Sequence, residues 1–183
     1  MIPTHELARV PAFAGFDERA LRAVGAMLRV STVEDGQAIL RQGERTGGAF
    51  VVLNGTVRVI RAVSGQRSVD IRSLGEGTLF GLLACLDGAP RGATMVARGT
   101  VRVAEIPREA VTELLEGKTP VALRFQVAVC RTLFGSVRVT NRRVAELAAL
   151  PESELATFDL EPIPPDAPEA QIDDFSDGLT PLG

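Results

Sequence analysis

The sequence predicts a mainly β domain with helices. The expected architecture is an eight-stranded antiparallel β-roll of the jelly-roll or double-stranded β-helix type, flanked by N-terminal helices and one long C-terminal helix. Three observations predict it. Between Arg29 and Ile106 the apolar residues fall in short, often alternating runs separated by glycine-bearing turns, the pattern of a closed antiparallel sandwich or barrel. On both sides of that stretch the period becomes helical. From Leu123 the apolar positions recur at unbroken 4-3 spacing for about four heptads, so the last helix is long.

Each element follows in order. Thr4 to Val10 reads as a short helix with Thr4 at its N-cap. Asp17 caps a second helix, whose Leu21, Val24, Met27 and Leu28 share one face. LRVSTV, QAIL, AFVVLN, TVRVIRAV, SVDIRSL, ATMVA and VRVAEI read as strands, with EDG, QGE, NG, SGQ and GEG as turns. Asn54-Gly55 is the strongest hairpin signal, because a type I′ turn needs positive φ at both central residues. Helices return at Pro107, with Val111, Leu114 and Leu115 on one face and Gly117 at the C′ position. Thr119 caps the long helix, Pro120 lies in its first turn, and Pro151 stops it near Leu150.

Residues 1–119 are therefore read as N-terminal helices, β-roll and hinge helix, 120–150 as the long helix, and 151–183 as a tail. The tail holds nine acids, no Lys or Arg, and six of the eleven prolines. Such a segment buries too little apolar surface to offset ordering, and disorder is expected. Its Phe158, Leu160, Phe175 and Leu179 are apolar points among acids, suited to docking on a protein partner.

The long helix carries a seam: Leu123, Val127, Cys130, Phe134, Val137, Asn141, Val144 and Ala148. Asn141 falls at an a position, where one buried amide fixes register and favours two strands. A homodimer through this helix is expected. Arg124, Arg131 and Arg138 recur every seven residues beside the seam.

Other features narrow the class. The chain has no Trp or Tyr, so platforms for base stacking are scarce. Cys85 and Cys130 are far apart and His5 is the only histidine, which argues against a Cys/His zinc site. No Ser-His or Cys-His constellation suggests an enzyme. The N-terminus lacks a signal-peptide pattern and no 18-residue apolar run exists, so a cytoplasmic protein without a membrane span is expected. No recognition helix follows Leu150 and the acids there would be repelled by phosphate, so DNA is not an expected partner.

The stretch EDGQAILRQGERTGGAFVVLNGTVRVI spaces Gly36, Gly43 and Gly55 as in the cyclic nucleotide-binding domain family. With the order of helices and strands, about residues 5–149 resemble a stand-alone domain of that family, which includes bacterial catabolite-activator regulators and the regulatory subunit of protein kinase A. FGLLACLDGAPRGATMVA then resembles the family's phosphate-binding cassette. Phe80, Gly81, Leu83, Ala84, Pro90, Arg91, Ala93 and Thr94 match it, while Leu82, Cys85 and Gly92 depart.

The resemblance implies that amides at the start of a short helix face a cyclic phosphate and that Arg91 neutralises it through a forked, charge-assisted contact. It implies that the position of Leu82 is the glutamate that holds the ribose 2′-hydroxyl. Leucine accepts no hydrogen bond, so affinity for cAMP or cGMP is expected to fall by at least ~10–100-fold. An unrelated anion with an apolar body is the other expected ligand, and Glu76 is the one nearby candidate for a substitute acceptor. The family's last helix caps the ligand's base, which brings Arg131 or Thr132 to the site. The expected function is a non-catalytic ligand sensor that signals through its long helix. The alternative is a ligand-free dimeric interaction module.

Overall fold

In the computed structural model, residues 2–45, 47–62, 68–149 and 151 are described. The SGQ turn, Leu150 and the predicted tail beyond Pro151 lie outside them. Residues Met1–Val139 form one compact unit, and the chain from Thr140 onward belongs to a second.

The first helix, α1 (Thr4–Leu7), is entered from Pro3 in extended conformation without a side-chain cap, so Thr4 is its first residue rather than its cap. A 3₁₀ turn at Pro11–Phe13 leads to α2 (Glu18–Met27), where Asp17 accepts the Ala20 N–H at 2.8 Å, as a capping aspartate should. The strands are β1 (Arg29–Val33), β2 (Ala38–Leu40), β3 (Ala49–Ala62), β4 (Ser68–Leu74), β5 (Leu79–Phe80) and β6 (Thr94–Ile106). A short helix, α3 (Leu82–Asp87), separates β5 from β6. Two more, α4 (Arg108–Glu116) and α5 (Pro120–Ala148), follow the sheet. All strand pairs are antiparallel, in the order β1-β6-β3-β4, with β2 also on β6 and β5 on β3.

Asn54-Gly55 is not a hairpin. The chain runs straight on through β3, and the register against β6 slips on both sides of Asn54. Gly55 does adopt positive φ, +93°, and a Cβ there would lie 3.0 Å from the Thr100 carbonyl oxygen. The local chemistry matches the expectation, but a bulge uses it to bend two long strands against each other. Counting each half of β3 and β6 separately recovers the eight segments of the roll.

The run AFVVL lacks alternation because both of its faces are buried. Ala49, Val51 and Leu53 join a core with α1, α2, α4 and α5, where Leu7, Phe13, Val24, Ile106, Leu114 and Phe125 meet. Phe50 and Val52 point the other way, into the roll, against Leu40, Val57, Val59, Phe80, Val101 and Val103. A strand covered on both faces reads as a continuous apolar run.

Gly117 follows α4 but has φ −68°, so it is not a left-handed C′ residue. Space is what demands glycine there: a Cβ would sit 2.8 Å from the Glu113 carbonyl oxygen and 2.9 Å from Ala122 Cβ. Thr119 caps α5 as expected, its hydroxyl accepting the Ala122 N–H at 3.2 Å.

α5 turns Ala122, Phe125, Ala128 and Val129 into the core. The heptad seam lies on its other side: Leu123, Val127, Cys130, Phe134, Val137, Asn141 and Val144 are all exposed.

Candidate functional site

Leu79 and Phe80 pair with Val51 and Phe50, and the two phenylalanine rings stack with centroids 5.5 Å apart. The chain then turns at Gly81, with φ +76°, into α3. Leucine at 82 and cysteine at 85 face the core and are buried, whereas Leu83 is exposed.

Arg91 returns to this corner. It is only 4% exposed, the one charged or polar residue buried to that degree among the described residues. Its backbone N–H donates to the Glu44 carbonyl and its carbonyl accepts the Gly43 N–H, both at 2.8 Å. The side chain donates from Nη1 to the Gly81 carbonyl at 2.5 Å and from Nη2 to the Gly48 carbonyl at 2.7 Å. The β2–β3 connection thus holds its backbone, while its fork ties the β3 entrance to the start of α3. Burial draws the Arg91 pKa below the ordinary arginine value, opposed by Cys85 and Glu44. Burial pushes the Cys85 thiol up, which keeps it neutral and lets it pack as a small apolar group.

A cavity of about 220 Å³ opens beside this corner. Phe80, Gly81, Leu82, Leu83 and Ala84 form one wall, and Arg91, Gly92 and Ala93 another. Thr132 reaches it from α5 together with Leu133 and Ser136. The cavity is smaller than the ~300–1,000 Å³ usual for small-molecule pockets. Among the described residues its lining contains no carboxylate.

Arg131 does not join this group. It is exposed and lines a separate groove of about 570 Å³ between the 3₁₀ turn and α5, with Phe16, Leu123 and Val127. Thr132 lines both that groove and the Arg91 cavity, whereas Arg131, turned by about 100° one residue earlier on the helix, lines the groove only. Glu76 is also elsewhere: it accepts from Asn54 Nδ2 at 2.7 Å and from the Gly55 N–H at 3.4 Å, bracing the bulge in β3. It therefore supplies no acceptor to the Arg91 cavity.

Sequence reading missed Leu40, Arg72, Leu79, Met95, Leu133 and Ser136 in the lining. Ser136 stands one helical turn after Thr132, a spacing that gave a signal. Nothing local marked Arg72. Among the described residues no group of three or more His, Cys, Asp or Glu gathers to hold a metal ion, and no helix is long and apolar enough to cross a membrane.

Residues 30–118 match the family description "Cyclic nucleotide-binding domain". The chain is 32% identical over 111 residues to the cGMP-dependent protein kinase egl-4 of Caenorhabditis briggsae, a match covering 60% of this chain and 15% of that protein. It is 35% identical over 82 residues to a cAMP-dependent protein kinase regulatory subunit of Mucor circinelloides f. lusitanicus, covering 45% and 19%. The chain thus spans less than a fifth of the length of these relatives. Among solved structures, the Thermus thermophilus catabolite activator protein superposes with a TM-score of 0.66 at 23% identity, over 75% of this chain and 63% of that one. A cyclic nucleotide-binding domain from Methylobacillus flagellatus KT superposes with 0.67 at 20% identity, over 87% and 84%. At these identities the structural likeness establishes the fold.

Proposed function

With residues 30–118 belonging to the cyclic nucleotide-binding domain family, we propose that the chain is a non-catalytic sensor of a small anion, a cyclic nucleotide or another, that signals through α5. Arg91 carries this reading: it is a buried guanidinium in the wall of a cavity with no carboxylate among its described lining residues. A guanidinium at a cavity wall can meet an entering anion through a forked, charge-assisted contact. Thr132, Leu133 and Ser136 bring α5 to the cavity, so a ligand acts on the helix directly. Leu82, at the place of the family's ribose-binding glutamate, makes this a degenerate cassette in which cAMP and cGMP bind weakly.

The partner we propose for the exposed seam is a second copy of the chain. Seven positions at strict heptad spacing, with asparagine at an a position, suit a parallel two-stranded coiled coil. The acidic segment 151–183 is the proposed contact for a further protein.

The test is the thermal midpoint of the full chain with and without millimolar cAMP and cGMP. A ligand at ~100 times its Kd stabilises by ~2.7 kcal/mol, a rise of roughly 5–10 °C for a chain of this size. The expected shift is present in the wild type and absent in Arg91→Ala. A shift of unchanged size in Arg91→Ala overturns the assignment of the site. A shift confined to Leu82→Glu shows a cassette silenced at one residue.

A second reading has its own support. Leu82 is buried in the core beside the cavity, and the cavity is small. Both favour a ligand-free dimeric adaptor. No shift in either the wild type or Leu82→Glu, with a stable dimer, would favour it.

A further inference from the structure

Arg72 gives the cavity a second cation, and a bulge puts it there. Along β3 and β4 the pairs Val57–Leu74 and Val59–Arg72 are in register, and the next pair is Ile60–Asp70. Ile71 is therefore the extra residue of a β-bulge. Val57, Val59 and Leu74 belong to the core inside the roll. Arg72 stands directly opposite Val59 and two residues from Leu74, so it shares their inward face. Without the bulge, Asp70 would share it too and would neutralise the arginine. The slip sends Asp70 to the outer face, where Arg58 Nε holds it at 2.8 Å. Bulges re-aim side chains in this way next to functional sites.

The result is a guanidinium lining the same cavity as Arg91. Among the described residues no side-chain hydrogen bond or ion pair engages Arg72. The lining they share is mostly apolar and includes Leu40, Leu79, Leu82 and Met95.

We propose that this site takes a ligand with two acidic groups joined by an apolar body. Arg91 holds the first group and Arg72 the second. This rests on the anion site proposed above and specifies its ligand class. A simple cyclic mononucleotide has only one acidic group and presents a ribose hydroxyl to Leu82, so it meets half of the site.

The experiment measures binding of phenyl phosphate, 3-carboxyphenyl phosphate and 4-carboxyphenyl phosphate to the full chain by calorimetry. Wild type, Arg72→Gln, Arg91→Ala and Arg22→Gln are compared. Arg22 lies on the α2 surface and controls for the change in net charge. At least one carboxylated probe is expected to bind the wild type roughly ten-fold or more tightly than phenyl phosphate, as a charge-assisted contact implies. Arg72→Gln should erase that gain and leave phenyl phosphate binding unchanged, and Arg22→Gln should keep both. Arg72 is exposed, so its replacement should leave the unliganded midpoint in place. Equal binding of all three probes, or a gain that survives Arg72→Gln, overturns the proposal while the anion site stands. Failure of every probe, together with no response to cAMP or cGMP, overturns both.

Discussion

The two faces of α5 carry equally regular apolar stripes and meet different fates. One face puts Ala122, Phe125, Ala128 and Val129 into the core. The other leaves Leu123 at 51%, Phe134 at 67% and Val137 at 54% exposed. Periodicity states that a stripe will be covered, not what covers it. The first is covered by the chain's own sheet and helices. The second, on our proposal, waits for another copy.

The sharpest way to break the comparison is to damage the inner face. Phe125 is fully buried among Phe13, Leu114 and their neighbours. Phe125→Ala should cost ~3–5 kcal/mol. The thermal midpoint should then fall by roughly 6–20 °C, and a loss of only a degree or two would mean that α5 contributes little to the core.

An equivalent insult to the outer face should act on assembly instead. The double variant Val127→Glu, Phe134→Glu is expected to shift sedimentation from dimer to monomer while the circular dichroism of the fold is kept. Cys130 offers an internal check, because it lies on the seam and is exposed. A short bismaleimide should link two wild-type chains through it and fail to link the double variant. Crosslinking of both to the same extent would refute the seam.

The smallest effect concerns the edge of the helix. Asp17 accepts the Ala20 N–H at the start of α2, and Arg124 of α5 donates to it at 3.2 Å. The Ala20 hydrogen bond first, and Arg124 less strongly, lower its pKa. A carboxyl whose pKa falls on folding stabilises above its unfolded value, and this is lost as pH falls through the folded one. A slight loss of stability is therefore expected below about pH 4, and Asp17→Asn should flatten that part of the midpoint-against-pH curve. An identical curve in Asp17→Asn would show that the contact carries no pH dependence.

The same contrast explains what could be read in advance. The roll was legible because its turns are dense in glycine and its strands short or alternating. The meeting of Arg91 with the Phe80–Ala84 stretch at one cavity was legible because a Pro-Arg corner after a Phe-Gly step has a counterpart in the family the sequence resembles. The path of β3 was not, since Asn-Gly offers positive φ to a bulge as readily as to a hairpin. Only the long-range pairing with β6 decides between them. Arg72 was invisible for a related reason. Strict alternation places it on the same face as Asp70, and a single unmarked extra residue, Ile71, reverses that. Arg131 and Thr132 were not separable by sequence, because one step along a helix turns a side chain by about 100° and only Thr132 reaches the Arg91 cavity.

Gln126 joins these regions in a way that bears on signalling. Its single amide nitrogen is shared among the carbonyls of Leu114, Leu115 and Gly117, at 3.3, 2.8 and 2.9 Å. Those are the carbonyls that the end of α4 leaves without helical donors. The end of α4 is thus finished by a residue that belongs to α5, and the two helices share a joint as a crank shares its pin. Any swing of α5 at its first turns must drag the end of α4 or strip three acceptors at once. A bend farther along, at Gly135, where no neighbour lies within 4 Å of the missing side chain, would leave the pin untouched. On the proposed sensor reading, the location of the bend would select the recipient of the message: the body of the domain in the first case, the far end of the helix alone in the second.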